Sequence, residues 1–122
     1  MKKILVVEDG SFMNVLYRSK LESRGHDVTV ALDGQDALDK LEKTSPDLIV
    51  LDLILPGKDG FYVLDAVKKN EKLKDVPVVI VSNVSKQESI DKAKELGATD
   101  YLVKASMTFD ELMEKIESYL KN

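Results

Sequence analysis

Short apolar runs and longer amphipathic stretches alternate about five times along this chain. The apolar runs have the length of buried strands and lie near residues 3–8, 27–31, 47–52, 76–82 and 100–103. The stretches between them repeat apolar residues at helical spacing and lie near residues 11–24, 34–44, 60–70, 85–96 and 108–121. The alternation predicts an α/β fold in which five helices cover both faces of a doubly wound, five-stranded parallel sheet.

The composition of each run and the residues that precede the helices refine this picture. The first, third and fourth runs are apolar throughout, as expected of central strands, whereas Asp27–Ala31 alternates and suits an edge. Asp33 and Asp59 are candidate N-caps of the second and third helices. The segments Ser85–Glu88 and Thr108–Glu111 match the capping box at the starts of the fourth and fifth.

Composition limits the classes of function that the chain can have. The 122 residues suffice for one domain, residues 1–122, and 43% of them are hydrophobic, enough for one core. A net charge of -4 with both signs interspersed argues against the basic surface that nucleic acids and anionic membranes require. Cysteine is absent, and no apolar stretch has the length of a membrane span or a signal peptide. We therefore expect a cytoplasmic protein that contacts neither nucleic acid nor membrane.

Polar residues with related chemistry follow four of the five apolar runs. They are Glu8 and Asp9 after the first run, Asp52 after the third, Ser82 after the fourth and Lys104 after the fifth. In a parallel sheet, ligands bind in the crevice outside the carboxyl ends of the strands. Three carboxylates, a hydroxyl and an ammonium gathered in that crevice suit a divalent cation and a phosphoryl group.

The carboxylates divide into a candidate nucleophile and candidate metal ligands. Asp52 can form a covalent acyl phosphate, although an aspartate here could also simply cap the turn before Pro56. Glu8 and Asp9 offer the hard oxygen donors that magnesium prefers, although they also suit an acidic helix entry that complements the helix dipole. Because three close carboxylates repel one another, we expect magnesium to stabilise the fold.

Lys104 and Ser82 complete the candidate site. A lysine can pair with a carboxylate and with a transferred phosphoryl group, and a serine supplies one rotatable donor. Both residue types are common at strand ends, so Lys104 and Ser82 support a site only because they lie together with the three carboxylates. The single histidine, His26, has no partner at the spacing of a metal site or a catalytic triad, and we predict a surface residue.

The motifs at these positions resemble those of the receiver domains of bacterial two-component response regulators. The resemblance covers essentially the whole chain and rests on Val7–Asp9, Leu51–Gly60, Val81–Asn83 and Asp100–Lys104. It implies a flavodoxin-like fold with strand order 2-1-3-4-5, the order known for a chemotaxis receiver.

The resemblance also implies a role for each acidic residue. Asp52 would accept a phosphoryl group from a histidine kinase, a phosphotransfer protein or a small phosphodonor. Glu8, Asp9 and Asp52 would hold Mg2+, with the backbone carbonyl of Ile54 as a further ligand. The chain would catalyse only its own phosphorylation and slow dephosphorylation, so it would not be an enzyme in the ordinary sense.

The remaining roles that the resemblance implies concern the switch. Ser82 and Lys104 would hold the phosphoryl oxygens, and Tyr101 would turn inward as Ser82 moves toward the phosphate; otherwise Tyr101 is a half-buried strand aromatic. The implied output surface is the face formed by the fourth helix, fifth strand and fifth helix, which would bind a downstream protein or form a weak dimer of an otherwise monomeric chain. No effector segment is visible in the sequence, so we expect output by protein contact.

Several residues depart from the family pattern. Ala105 replaces the usual proline after Lys104, and we expect a trans peptide bond there, or a strained loop if the bond is cis. Glu8 replaces the commoner aspartate, Asn83 replaces a smaller alanine and narrows access to the nucleophile, and Gly10 gives the first loop extra freedom.

Two apolar residues bear on the lifetime of a phosphorylated state. Ile54 lies two residues after Asp52, and Val84 lies two residues after Ser82. In the family, these positions flank the path of the hydrolytic water. Aliphatic side chains cannot orient that water, so we predict slow self-dephosphorylation.

Three other functions compete with this interpretation. A phosphatase of the haloacid dehalogenase type would need a second aspartate two residues past Asp52, where Ile54 stands. A flavin-binding module would need a phosphate loop rich in serine, threonine and glycine after the first strand, where this chain has an acidic pair. A receiver-like module that binds partners without being phosphorylated is left open by Ala105 and Asn83.

Overall fold

The computed structural model describes residues 2–120 and confirms the α/β fold with helices on both faces of a parallel sheet. The strands are β1 (Lys3–Val7), β2 (Asp27–Ala31), β3 (Leu48–Leu51), β4 (Val78–Ser82) and β5 (Asp100–Val103). The helices are α1 (Ser11–Ser23), α2 (Gly34–Lys43), α3 (Gly60–Lys69), α4 (Gln87–Glu95) and α5 (Phe109–Ser118), with a short 3-10 turn at Lys104–Ser106. No helix in this part of the chain is long and apolar enough to cross a membrane.

The sheet has the predicted flavodoxin-like order, β2-β1-β3-β4-β5, and every neighbouring pair is parallel. β2 lies at an edge, as its alternating composition predicts. The register aligns the carboxyl ends of the strands, since Val7 pairs with Leu51 and Ser82 pairs with Val103. The residues that follow β1, β3, β4 and β5 therefore emerge along one edge of the sheet.

The core consists of two apolar layers, one on each face of the sheet. Successive strand residues point to opposite faces. Ile4 and Val6 accordingly pack with residues of α1 and α5, while Leu5 and Val7 pack with residues of α2, α3 and α4. A strand covered on both faces must be apolar at every position, which explains the uninterrupted runs of β1, β3 and β4.

Three of the predicted helix caps are present. The side chains of Asp33 and Asp59 accept hydrogen bonds from backbone amides in the first turns of α2 and α3, at 2.7 and 3.0 Å. Thr108 and Glu111 form a complete capping box at the start of α5. These bonds satisfy amides that the helices themselves leave without acceptors.

The capping box predicted at Ser85–Glu88 is wrong. α4 begins two residues later than expected, and its N-cap residue, Lys86, makes no side-chain cap bond within residues 2–120. The first carbonyl of the helical ladder is that of Lys86, which accepts from the amides of Ser89 and Ile90 at 3.0 and 3.1 Å. In the preceding loop, the Val84 amide donates to Ser82 Oγ at 3.2 Å, and the Val84 carbonyl accepts from the Tyr101 hydroxyl at 2.6 Å.

Other boundaries differ from the prediction by a few residues. The fourth run, predicted from residue 76, becomes a strand only at Val78, because Pro77 has no amide to donate to a neighbouring strand. The last helix is predicted to extend to residue 121, but α5 ends at Ser118 and residue 121 lies outside the described residues.

Candidate functional site

Five of the predicted site residues lie at the carboxyl edge of the sheet. Glu8 and Asp9 follow β1, Asp52 follows β3, Ser82 ends β4 and Lys104 follows β5. One oxygen atom from each of the three carboxylates lies within 4.8 Å of the others. Glu8 and Asp52 are 5% and 8% exposed, whereas Asp9 is exposed. Two of the three negative charges are thus largely removed from water.

The ammonium of Lys104 bridges the two buried carboxylates. Its Nζ donates to Glu8 Oε1 at 2.7 Å and to Asp52 Oδ2 at 3.1 Å. Burial lowers the pKa of Lys104, but the hydrogen bond to Glu8 and the charge of Asp52 outweigh burial and raise the pKa above its ordinary value. The lysine is therefore cationic at neutral pH, and it offsets part of the repulsion between the carboxylates.

Backbone groups fix the orientation of the same carboxylates. Glu8 Oε2 accepts a hydrogen bond from the Gly10 amide at 2.9 Å, and Asp52 Oδ1 accepts one from the Ile54 amide at 3.2 Å. The extra methylene of glutamate lets Glu8 reach Lys104 and the following turn at once.

The donor set of this edge fits a hard divalent cation. Carboxylate oxygens are the preferred protein ligands of magnesium, which takes one or two of them and keeps several waters. Glu8, Asp9 and Asp52 provide such oxygens within 4.8 Å of one another. A cation there would compete with the Lys104 ammonium for the oxygens of Glu8 and Asp52.

Ser82 and Tyr101 are joined through one residue of the loop after β4. Ser82 is completely buried, and its Oγ accepts from the Val84 amide, while the Val84 carbonyl accepts from the Tyr101 hydroxyl. Burial raises the pKa of Tyr101, and the charge of Asp52 adds to this shift. The ring of Tyr101 lies inside the protein and forms part of the apolar layer that includes α4.

A glycine lets α3 approach the backbone of the central carboxylate. A Cβ at Gly60 would overlap the carbonyl oxygen of Asp52 and would lie 2.7 Å from Leu53 Cα. The Gly60 amide donates to the Leu53 carbonyl at 2.9 Å. The first residue of α3 is thus packed directly beneath Asp52, and only glycine fits there without a shift of the backbone.

An apolar groove of about 180 Å³ lies beside the site. Its lining includes Leu53, Ile54, Phe61 and Val84. Ile54 is 65% exposed, which is unusual for isoleucine and leaves an aliphatic surface next to Asp52. The two positions singled out for their apolar character, Ile54 and Val84, therefore border the same groove.

The sequence interpretation missed two polar residues on the buried face of α1. Asn14 and Tyr17 are 7% and 1% exposed. The Asn14 side chain donates to the Glu8 backbone carbonyl at 2.7 Å. Burial raises the pKa of Tyr17, and the charges of Glu8 and Asp52 raise it further. Their spacing with Leu21, at intervals of three and four residues, marks one helix face and could have revealed them.

His26 is less exposed than predicted and lies apart from the site. It precedes β2, its side chain is 13% exposed, and its Nε2 lies 3.6 Å from a carboxylate oxygen of Glu117. Burial lowers the pKa of His26, and nearby positive charges add to the shift. The histidine is therefore neutral at pH 7.

The loop after Lys104 has the expected trans geometry. No cis peptide bond occurs within residues 2–120, and Lys104–Ser106 forms the short 3-10 turn. Asn83, the other departure near the nucleophile, is exposed.

Comparisons with known proteins agree on one family. The sequence model of the response regulator receiver domain family matches residues 4–117. The alkaline phosphatase synthesis transcriptional regulatory protein PhoP of Bacillus subtilis is 42% identical over 105 residues, which cover 84% of this chain. The chain spans only 42% of the length of that relative.

Solved structures extend this similarity to the fold. The receiver domain of the Francisella response regulator 1452 is 31% identical, with a TM-score of 0.86 over 98% of this chain and 96% of that one. The Mn2+-bound form of response regulator Rcp1 is 31% identical, with a TM-score of 0.83 over 97% and 91%.

Proposed function

Because the chain belongs to the response regulator receiver domain family, whose members are phosphorylatable signalling switches, we propose that Asp52 is its phosphorylated residue. The supporting observation is the Lys104 ammonium, which lies 2.7 Å from Glu8 and 3.1 Å from Asp52 beside the carboxylate of Asp9. Such a site combines a nucleophile, a fixed cation and oxygen donors for a second cation.

In the proposed reaction, an Asp52 oxygen attacks phosphorus and forms a new P–O bond. The P–N bond of a phosphohistidine breaks, and the imidazole of a histidine kinase or a phosphotransfer protein leaves with the electron pair. With a small acyl phosphate, the P–O bond to the donor breaks instead. A bound Mg2+, held by Glu8, Asp9, Asp52 and the Ile54 carbonyl, would neutralise charge on the phosphoryl oxygens. Lys104 would pair with one of those oxygens.

In the proposed switch, a movement of Ser82 is transmitted to Tyr101. The Ser82 hydroxyl can donate to a phosphoryl oxygen whether or not its Oγ still accepts a hydrogen bond from the Val84 amide. Since the Val84 carbonyl holds the Tyr101 hydroxyl at 2.6 Å, any displacement of this loop changes the position of the ring. Added phosphate charge thereby biases the surface of α4, β5 and α5 toward a second state.

The lifetime of the phosphorylated state follows from the groove beside Asp52. Ile54 and Val84 border it with aliphatic groups that cannot orient a water molecule for attack. We therefore predict that phosphorylated Asp52 loses its phosphoryl group slowly, so that the signal persists unless a phosphatase acts.

The proposed context is a cytoplasmic signalling pathway. Upstream, a histidine kinase or phosphotransfer protein supplies the phosphoryl group. Downstream, a protein binds the surface of α4, β5 and α5, through which the chain can also form a weak dimer. Residues 1–122 would act as one receiver domain, and its net charge of -4 supports output by protein contact rather than nucleic-acid binding.

Intact mass after incubation with magnesium and acetyl phosphate tests the proposal. The parent should gain the mass of one phosphoryl group, hydroxylamine should remove it, and Asp52→Asn should gain nothing. If the parent gains nothing, even with a phosphorylated histidine kinase as donor, the assignment of Asp52 is refuted. The chain would then be a receiver-like module that binds partners without phosphorylation.

A further inference from the structure

Asn14 is a buried polar residue that the proposed phosphoryl transfer leaves unused. It is 7% exposed and lies in the first turn of α1. Its Nδ2 donates to the Glu8 carbonyl at 2.7 Å, and its backbone amide donates to the Gly10 carbonyl at 3.0 Å. One residue therefore ties α1 to both ends of the turn that carries Glu8 and Asp9.

The other end of the Asn14 amide is not satisfied by the protein. Oδ1 is buried and has no hydrogen-bond partner among residues 2–120. Most buried acceptors in native proteins are paired, because an unpaired one loses its hydration without compensation. A leucine would occupy a similar volume without that loss. Within residues 2–120, Oδ1 is thus a buried acceptor that can still take a hydrogen bond.

Two donors beside the acidic turn already have acceptors within the turn or the site. Lys104 donates to Glu8 and Asp52, and the Gly10 amide donates to Glu8 Oε2. A divalent cation with oxygen ligands keeps several bound waters, and each of these is a strong hydrogen-bond donor. The planar amide of Asn14 is fixed against the Glu8 carbonyl by Nδ2, so Oδ1 is held close to the same turn.

We propose that Asn14 is a positioning residue of the cation site. Its Nδ2 holds the turn that presents Glu8 and Asp9, and its Oδ1 accepts a hydrogen bond from a water molecule bound to the cation. The proposal rests on the proposed function, because it assumes that Glu8, Asp9 and Asp52 bind magnesium. Partners of this kind typically change metal affinity by about 10–100-fold when they are removed.

Magnesium titration by calorimetry tests the role of Asn14. Asn14→Leu should raise the dissociation constant for magnesium about ten-fold. Its stability in EDTA should change little, since the unpaired oxygen is lost together with the bond to Glu8. Tyr17→Phe is the matched control, because it removes a buried polar atom from the same face of α1, one turn away. It should leave the dissociation constant within about two-fold of the parent.

Each outcome has a distinct meaning. If Asn14→Leu binds magnesium as the parent does, or if Tyr17→Phe weakens binding equally, the inference is wrong. If Asn14→Leu does not fold, the NMR signals of the side-chain amides of the parent test the inference instead. The Asn14 signals should shift at saturating magnesium while those of the exposed Asn70 stay in place, and an unmoved Asn14 overturns the inference.

Failure of the underlying function looks different. A parent that does not bind magnesium, or an Asp52→Asn variant that binds it equally well, refutes the proposed cation site itself. Binding that depends on Asp52 but not on Asn14 refutes only the role of Asn14.

Discussion

Replacing Lys104 with methionine measures how strongly its ammonium holds the site together. The variant keeps an unbranched side chain but leaves the carboxylates of Glu8 and Asp52 facing each other. The side chain of Lys104 is 17% exposed, and those of its partners are 6% and 11% exposed. Breaking a buried ion pair costs about 3–5 kcal/mol, and we expect the lower end, about 3 kcal/mol, because Lys104 retains some contact with water.

Urea unfolding followed by circular dichroism at pH 7 gives the free energy of unfolding in EDTA and in magnesium. The raised pKa keeps Lys104 protonated at this pH. Its stabilising contribution is complete below the ordinary lysine pKa and is lost only as the pH rises through the raised one. Magnesium should stabilise the variant more than the parent, because the oxygens of Glu8 and Asp52 are then free of the ammonium. At about 100 times the dissociation constant, a bound ligand adds about 2.7 kcal/mol.

Lys69→Met is the control for the loss of a lysine. Lys69 pairs with Asp65 at 2.9 Å, but these side chains are 77% and 42% exposed. A surface pair of this kind contributes about 0.5 kcal/mol or less. The reasoning is refuted if Lys104→Met loses no more stability than Lys69→Met, or if magnesium stabilises parent and Lys104→Met equally.

Three further predictions address other parts of the site. Ile54→Asn combined with Val84→Glu should speed the loss of phosphate measured by intact mass, and an unchanged rate would contradict the timing role of these side chains. Gly60→Ala presses a methyl group against the Asp52 carbonyl and should lower the free energy of unfolding in urea by about 2 kcal/mol; a neutral effect would argue against the close approach. Burial and the carboxylate at the start of β5 raise the pKa of Tyr119 to about 12. Tyr119→Phe should therefore remove an ionisation near pH 12 from the absorbance titration and reduce the loss of stability between pH 10 and 12; an unaltered titration would contradict this assignment.

The convergence of the charged residues was predictable because it follows from topology. A run of apolar residues marks a strand buried on both faces, and a parallel sheet collects its carboxyl ends at one edge. Glu8, Asp52 and Lys104 could therefore be placed together without coordinates. Their pairing could not, since the choice of Glu8 Oε1 and Asp52 Oδ2 as acceptors depends on side-chain reach and burial.

Local sequence signals failed to predict the start of α4 and the burial of Asn14. Ser85 and Glu88 have the sequence of a capping box, but α4 begins only at Gln87, and its first helical carbonyl is that of Lys86. Asn14 was missed because an asparagine in the first turn of a helix ordinarily faces water. Its spacing from Tyr17 and Leu21 indicates one helix face, and the packing of α1 against the sheet buries that face.

Val84 takes part in the site in two separable ways. Its backbone amide and carbonyl join Ser82 to Tyr101, while its side chain borders the groove next to Asp52. Backbone groups are the same in nearly every amino acid. Under the proposed function, substitutions at this position can therefore set how long a signal lasts without altering how it is transmitted. Duration and transmission could then evolve independently, although a single residue serves both.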